Sequence, residues 1–104
     1  MNMRNPPLES RKLRKAAHGK PCVRCHTHFE GNSGRHYCGL RQHLYGKGRG
    51  QKCHDFLIAD LCPQCDSELN EGSARKSVEH SEEFLHCCML TLIRRHAEGV
   101  LEVK

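Results

Sequence analysis

The chain has 104 residues, and Leu, Ile, Val and Phe together supply only 20 of them, so the composition allows one small domain with a thin apolar core. Eight cysteines and nine histidines can supply the rest of the stability, as disulfides or as metal ligands. The net charge of +5 is unevenly spread: residues 1–52 carry 12 Lys/Arg against 2 Asp/Glu, residues 53–104 carry 5 against 10.

A basic half of that kind attracts polyanions, nucleic acid first among them, while a merely soluble basic surface is the plain alternative. No run approaches the length of a membrane span, and the opening MNMRNPPLESRKLRKAAHGK lacks the apolar core of a secretory signal. The expected compartment is therefore a reducing cytoplasm, where paired cysteines read as metal ligands before they read as disulfides.

Residues 1–9, with Pro6 and Pro7 together, read as a disordered lead-in to a domain over 10–72. Ser10 caps a predicted helix over Arg11–His18, ended by Gly19 and Pro21. Its apolar stripe is Leu13, Ala16 and Ala17, so it packs lightly, and Arg11, Lys12, Arg14 and Lys15 make it a phosphate-contacting arm or a solvated face. The stretch GNSGRHYCGLRQHLYGKGRGQKCHD cannot be one long helix, because Gly46, Gly48 and Gly50 alternate through it. It reads as a strand near Arg35–Gly39 and a loop across 40–53, followed by a second strand near Phe56–Leu61. Cys62 then opens a helix of about two turns through Leu69, ended by Gly72. Residues 73–80 read as a linker. Ser81 caps the last helix, 81–99, with Glu82 and Glu83 in its first turn, Arg94, Arg95 and His96 near its end, and Gly99 beyond it. Phe84, Leu85, Cys88, Met89, Leu92 and Ile93 form its apolar face, which packs on the domain or makes a homodimer seam. The adjacent pair Cys87 and Cys88 is poorly placed to chelate one ion and reads as packing.

Two Cys-x2-Cys knuckles, Cys22/Cys25 and Cys62/Cys65, are separated by 36 residues and can present four thiolates to one tetrahedral zinc ion. The alternative, a pair of redox motifs, wants a βαβ context that the sequence lacks. Cys38, Cys53, His26 and His54 are the substitutes should one knuckle cysteine not serve. Structural zinc contributes about 10–16 kcal/mol in small peptides, so the ion should decide whether this chain folds.

Two knuckles bracketing a strand with an internal histidine, the second opening a helix, resemble the zinc-stapled branch of the HNH, or ββα-metal, nuclease superfamily. The stretch RHYCGLRQHLYGKGRGQKCHDFLIADLCPQCDSEL is most similar to a variant in small HNH-like proteins of tailed bacteriophages and prophages. The resemblance covers residues 12 to 99, and its specific parts are the knuckles and the loop GKGRGQKCHD. It implies an α+β fold: a small zinc-stabilised ββα-metal domain with flanking N- and C-terminal helices, in a bacterial host cytoplasm. It also implies a DNA endonuclease, with recombination or DNA processing as its setting, with His36 as the general base that takes a proton from water and a hard ion, Mg2+ or Mn2+, at the scissile phosphate. Lys52 and Asp55 match a lysine and an aspartate of the pattern, for phosphate contact and for positioning the base. His43 is a second candidate for the base.

Three positions depart from the pattern. Arg35 stands where a metal-binding Asp or His often precedes the first His, Leu57 replaces an Asn, and Asp66 replaces the helix His. Asp66 can hold Mg2+ as a harder ligand, or mark a domain that kept the zinc and lost hydrolysis. Two other readings therefore stand beside the nuclease: a non-catalytic zinc module that binds nucleic acid through the basic half, and a phage protein that binds a host protein. The nucleic-acid contacts expected are Arg11, Lys12, Arg14, Lys15, Lys47, Arg49 and Lys52. The five aromatics, Phe29, Tyr37, Tyr45, Phe56 and Phe84, form no interleaved stacking platform, which favours duplex or branched DNA over single strands.

Overall fold

The computed structural model describes residues 9–45, 52–72 and 77–101. Most of the expected lead-in, the loop residues Lys47 and Arg49, and 73–76 of the expected linker lie outside the described residues. The described residues form an α+β fold of one two-stranded sheet and three α-helices, and none of these helices is long and apolar enough to cross a membrane.

Helix α1 (Arg11–Ala16) starts where Ser10 Oγ accepts the Leu13 amide at 3.2 Å, satisfying one of the orphan N–H groups of a helix start. It ends two residues earlier than expected, with Ala17 as its C-cap. The thin stripe is nonetheless enough to dock it, because Leu13 and Ala17 are both buried. Gly34 makes the close approach possible. A Cβ there would lie 2.6 Å from Ala17 Cβ and 2.5 Å from Ile58 Cγ2, distances no side chain tolerates.

Strands β1 (Ser33–His36) and β2 (Ile58–Leu61) pair antiparallel, with Ser33 opposite Leu61 and His36 opposite Ile58. Both were expected at shifted bounds. β1 begins two residues early and ends at His36, with the Tyr37 amide still donating across to Leu57 O at 3.0 Å. The Tyr37 hydroxyl bonds Ser81 Oγ at 2.5 Å and accepts the Arg41 amide at 2.9 Å, and its ring packs edge-on against Tyr45 and Phe84. All four residues of β2 are buried.

Helix α2 (Pro63–Asn70) follows β2 directly, with Cys62 as N-cap and Pro63 at the first helical position, where a missing N–H costs nothing. The cap of helix α3 (Val78–Ala97) lies four residues before the expected cap, Ser81. Ser77 is the cap and accepts the His80 amide at 3.3 Å, so residues 77–80 belong to the helix start and not to a linker. Ser81 lies a turn further in, buried, with its Oγ on Tyr37 and on the Leu40 amide. The two serines are four residues apart and each has an acidic residue in the turn that follows it, so the local pattern fits both; only the tertiary contact to Tyr37 separates them. At the other end Gly99 takes φ 78 as the C′ residue, as expected.

The inward face of α3 is also rotated from the expected stripe. Phe84 and Cys88 are buried as expected, but Met89 and Ile93 are 55 % and 64 % exposed, while Ser81, Cys87, Thr91 and Arg95 point in. The cause is Asp60, wholly buried on β2. Its amide donates to Thr91 Oγ1 at 3.0 Å, and its carboxylate accepts from Arg94 Nη1 at 2.9 Å and from Arg95 Nη2. A buried carboxylate is tolerated only when paired, so the two arginines are pulled toward the sheet and set the helix rotation.

Removing one partner from such a group leaves a buried charge uncompensated. Asp60→Ala is expected to lower the unfolding free energy of the zinc-loaded chain by about 3–5 kcal/mol, and Ser77→Ala by about 1 kcal/mol, in urea titrations followed by circular dichroism.

Candidate metal centre and the cavity beside it

The two knuckles are built alike. In the first, the Cys25 amide donates to Cys22 Sγ at 3.5 Å and the His26 amide to Cys22 O at 2.8 Å. In the second, the Cys65 amide donates to Cys62 Sγ at 3.4 Å and the Asp66 amide to Cys62 O at 3.0 Å. Each turn thus aims two sulfurs the same way and gives its first sulfur an N–H partner, which suits a thiolate. His26 takes φ 66 to close the first turn, a left-handed conformation that a non-glycine residue adopts at a cost of about 1–2 kcal/mol.

The four sulfurs of Cys22, Cys25, Cys62 and Cys65 lie within 4.8 Å of one another, the one such cluster of potential ligands among the described residues. Cys25 Sγ and Cys62 Sγ are 3.7 Å apart. A tetrahedron with zinc–sulfur bonds of about 2.3 Å has edges of about 3.8 Å, whereas a disulfide needs about 2.04 Å, so the spacing fits an ion and not a bridge. Four soft thiolates with no open position suit zinc in a structural role. Burial pushes the Cys65 thiol well above its usual range, while the Thr27 hydroxyl, 3.1 Å from Cys25 Sγ, helps bring Cys25 down to about 6. Metal binding therefore releases protons and weakens as pH falls.

The other candidates stand apart from this cluster. His54 stacks on Phe56 at a centroid distance of 5.3 Å, Cys38 Sγ is 3.2 Å from His36 O, and Cys53 Sγ is 3.6 Å from Gln42 O. Cys87 and Cys88 are core residues, and burial pushes Cys87 up to about 11 and Cys88 higher still, which leaves both unreactive.

A cavity of about 190 Å3 opens beside the second knuckle, lined by His36, Lys52 and Asp66 together with Arg35, Cys38 and Cys53. The fold brings these residues from three places. His36 ends β1, Lys52 precedes the buried Cys53, and Asp66 sits in the first turn of α2. Asp55 supports the histidine: its Oδ1 is 2.8 Å from His36 Nε2. Its Oδ2 accepts the Ser10 amide at 2.6 Å and lies 3.1 Å from Arg14 Nε. Burial raises the Asp55 carboxyl, but the His36 bond, the Ser10 amide and Arg14 outweigh it and hold it below the usual carboxylate range.

Arg35 Nε lies 3.6 Å from Asp66 Oδ2, so the departure from the expected pattern at 35 and that at 66 face each other. Leu57 is a core residue. His43 lies in a short 3-10 turn, exposed, and does not line the cavity. Arg11, Lys12, Arg14 and Lys15 are exposed on α1. The two α1 contacts to Asp55, from the Ser10 amide and Arg14, were not foreseen; nothing local pairs residues 45 apart, and the only signal was one acidic residue in an otherwise basic neighbourhood.

No protein-family model, no curated protein and no solved structure matches the chain.

The zinc assignment has a direct check. The chain purified under reducing conditions is expected to carry one zinc by elemental analysis. Cys62→Ser is expected to lose both the metal and the cooperative unfolding transition, whereas Cys87→Ala keeps the zinc; a folded chain without metal would remove the assignment.

Proposed function

We propose that the chain is a metal-dependent DNA endonuclease of the HNH type, and the observation that carries this reading is that His36, held by Asp55, lines one cavity together with Asp66. The order β1, β2, α2, with a cysteine knuckle before the first strand and another at the start of the helix, is the order the resemblance implies. The His36–Asp55 bond is the arrangement a general base needs. With Nε2–H held by the carboxylate, Nδ1 is the nitrogen left to accept a proton from water. Lys52, exposed at the cavity, can contact a phosphate oxygen. Asp66 is the residue that would hold Mg2+ or Mn2+, which supplies charge stabilisation at the scissile phosphate and the leaving 3′ oxygen. Arg14 and the other exposed cations of α1 would contact backbone phosphates beside the cut.

One observation favours a second reading, a zinc module that binds DNA without cutting it. Arg35 pairs with Asp66, and an arginine there opposes a divalent ion at the same carboxylate. The two readings diverge in a single assay. Supercoiled plasmid and branched oligonucleotides are expected to be nicked in Mg2+ or Mn2+ and not in added zinc. His36→Ala should slow cleavage by about 10²–10⁴-fold with little loss of DNA affinity, Asp66→Ala should act likewise, and Asp66→His should retain activity. Binding itself should weaken steeply with salt. Absence of metal-dependent cleavage on every substrate, with binding indifferent to His36, would establish the second reading; cleavage surviving in His36→Ala would move the base to His43.

A further inference from the structure

The basic helix α1 is joined to the histidine of the cavity by one carboxylate. Asp55 divides its two oxygens between them: Oδ1 serves His36 Nε2, and Oδ2 serves the Ser10 amide and Arg14 Nε. The Asp55 side chain is 8 % exposed, so this junction is largely shielded from solvent, whereas the Arg14 side chain is 51 % exposed. Arg14 therefore bridges the inside and the outside of the fold. Its Nε lies 3.1 Å from Asp55 Oδ2 as an ion pair without hydrogen-bond alignment, and among the described residues no hydrogen bond ties up the edge that carries its two Nη nitrogens. That outer edge is the planar fork that matches a phosphate. Arg11, three residues earlier and so on the same face of the helix, is exposed beside it. The helix is anchored by Leu13 and by Ala17 against Gly34, so Arg14 is not on a loose arm.

We propose that Arg14 is a positioning residue that couples a DNA backbone phosphate to His36, through the chain phosphate, Arg14, Asp55, His36. The coupling deepens the nuclease reading above and rests on it for the identity of the polyanion. A phosphate taken by the Nη pair fixes the guanidinium, whose Nε then holds Asp55 Oδ2, and with it the carboxylate that orients the imidazole. Lysine in this place would keep the charge but not the planar two-edged geometry, so charge and coupling can be separated. The other charged groups at His36, namely Arg35, Lys52 and Asp66, approach from the cavity and not from α1.

The experiment uses the zinc-loaded full chain, with a short blunt duplex oligonucleotide as the probe and the imidazole signals of His36 in a nitrogen-15 NMR spectrum as the readout. In the unaltered chain, duplex addition is expected to shift these signals. Arg14→Lys should keep DNA affinity within about two-fold yet lose at least half of that shift, and Arg14→Gln should lose it together with one phosphate contact in the salt slope. The control Arg41→Gln removes one exposed cation elsewhere and should leave the shift intact. Zinc content and the amide spectrum establish that each variant is folded. Single-turnover cleavage is expected to fall about ten-fold in Arg14→Lys, one factor of ten being the loss of a modest positioning contact. Equal His36 shifts in the unaltered chain and in Arg14→Lys would overturn the coupling, as would no shift or no duplex binding in the unaltered chain. A chain that shows the Arg14-dependent shift but cuts nothing would overturn the nuclease reading alone and uphold the coupling.

Discussion

Four sulfur atoms lie within 4.8 Å of one another, a cluster that could hold a metal ion, and the contacts that order the sheet and the last helix start beside them. The knuckles stand 36 residues apart, and a chain with so few large apolar side chains has little else to draw the intervening segment together. Once the sulfurs converge, the rest of the register follows. The Val23 amide, inside the first knuckle, donates to Asp60 O at 2.9 Å, which ties that knuckle to β2 just before the second knuckle begins. Asp60 in turn fixes α3 through Thr91, Arg94 and Arg95, and Arg94 also donates to Pro21 O beside Cys22 at 2.6 Å. Metal site, sheet and last helix are therefore one mechanical unit.

The cavity inherits its geometry from that unit. His36 is opposite Ile58 in the ladder, and the strand holding Ile58 runs straight into Cys62, so the histidine's position is set by strand register against a metal ligand. Asp66 follows Cys65 directly, so its position is set by the other ligand of the same knuckle. A candidate metal scaffold of this sort sets His36 and Asp66 on one cavity without a large core behind them; ligand bonds to an ion would do the work that packing does in bigger proteins.

What the sequence disclosed follows from how far each signal reaches. The knuckles were legible because two fixed spacings of the same residue type suffice, and α2 because Cys62, Pro63 and Gly72 punctuate it locally. The start of α3 was misplaced because Ser77 and Ser81 offer equal local caps, and the choice is made by Tyr37, over forty residues away. Its inward face was misplaced for a similar reason: hydrophobic periodicity scores Met89 and Ile93 as core and Arg95 as surface, and it cannot register a buried carboxylate on another element. At the cavity the same division holds. His36, Lys52 and Asp66 were picked out by motif, whereas the contacts of Asp55 to α1 exist only in three dimensions.

The charge asymmetry also takes a different meaning once the chain is folded. The acidic half does not simply oppose the basic half; several of its carboxylates are taken up by cations of the first 52 residues. Asp55 holds Arg14, Asp66 faces Arg35, Glu68 holds Arg24, and Glu98 holds Lys20. Most of these pairs are part-exposed and add little stability each, but together they neutralise the basic half around the metal centre. Arg11, Lys12 and Lys15 on α1 and Lys52 at the cavity remain exposed, with no ion pair among the described residues. Among the described residues these four cations lie on one helix and one cavity rim, and Arg41 is exposed elsewhere. Of the cations drawn into pairs, Arg14 alone forms an ion pair with the carboxylate that holds His36 while keeping half its surface in water. Folding thus turns a diffuse compositional bias into exposed cations on α1, one of which reaches the carboxylate bonded to His36.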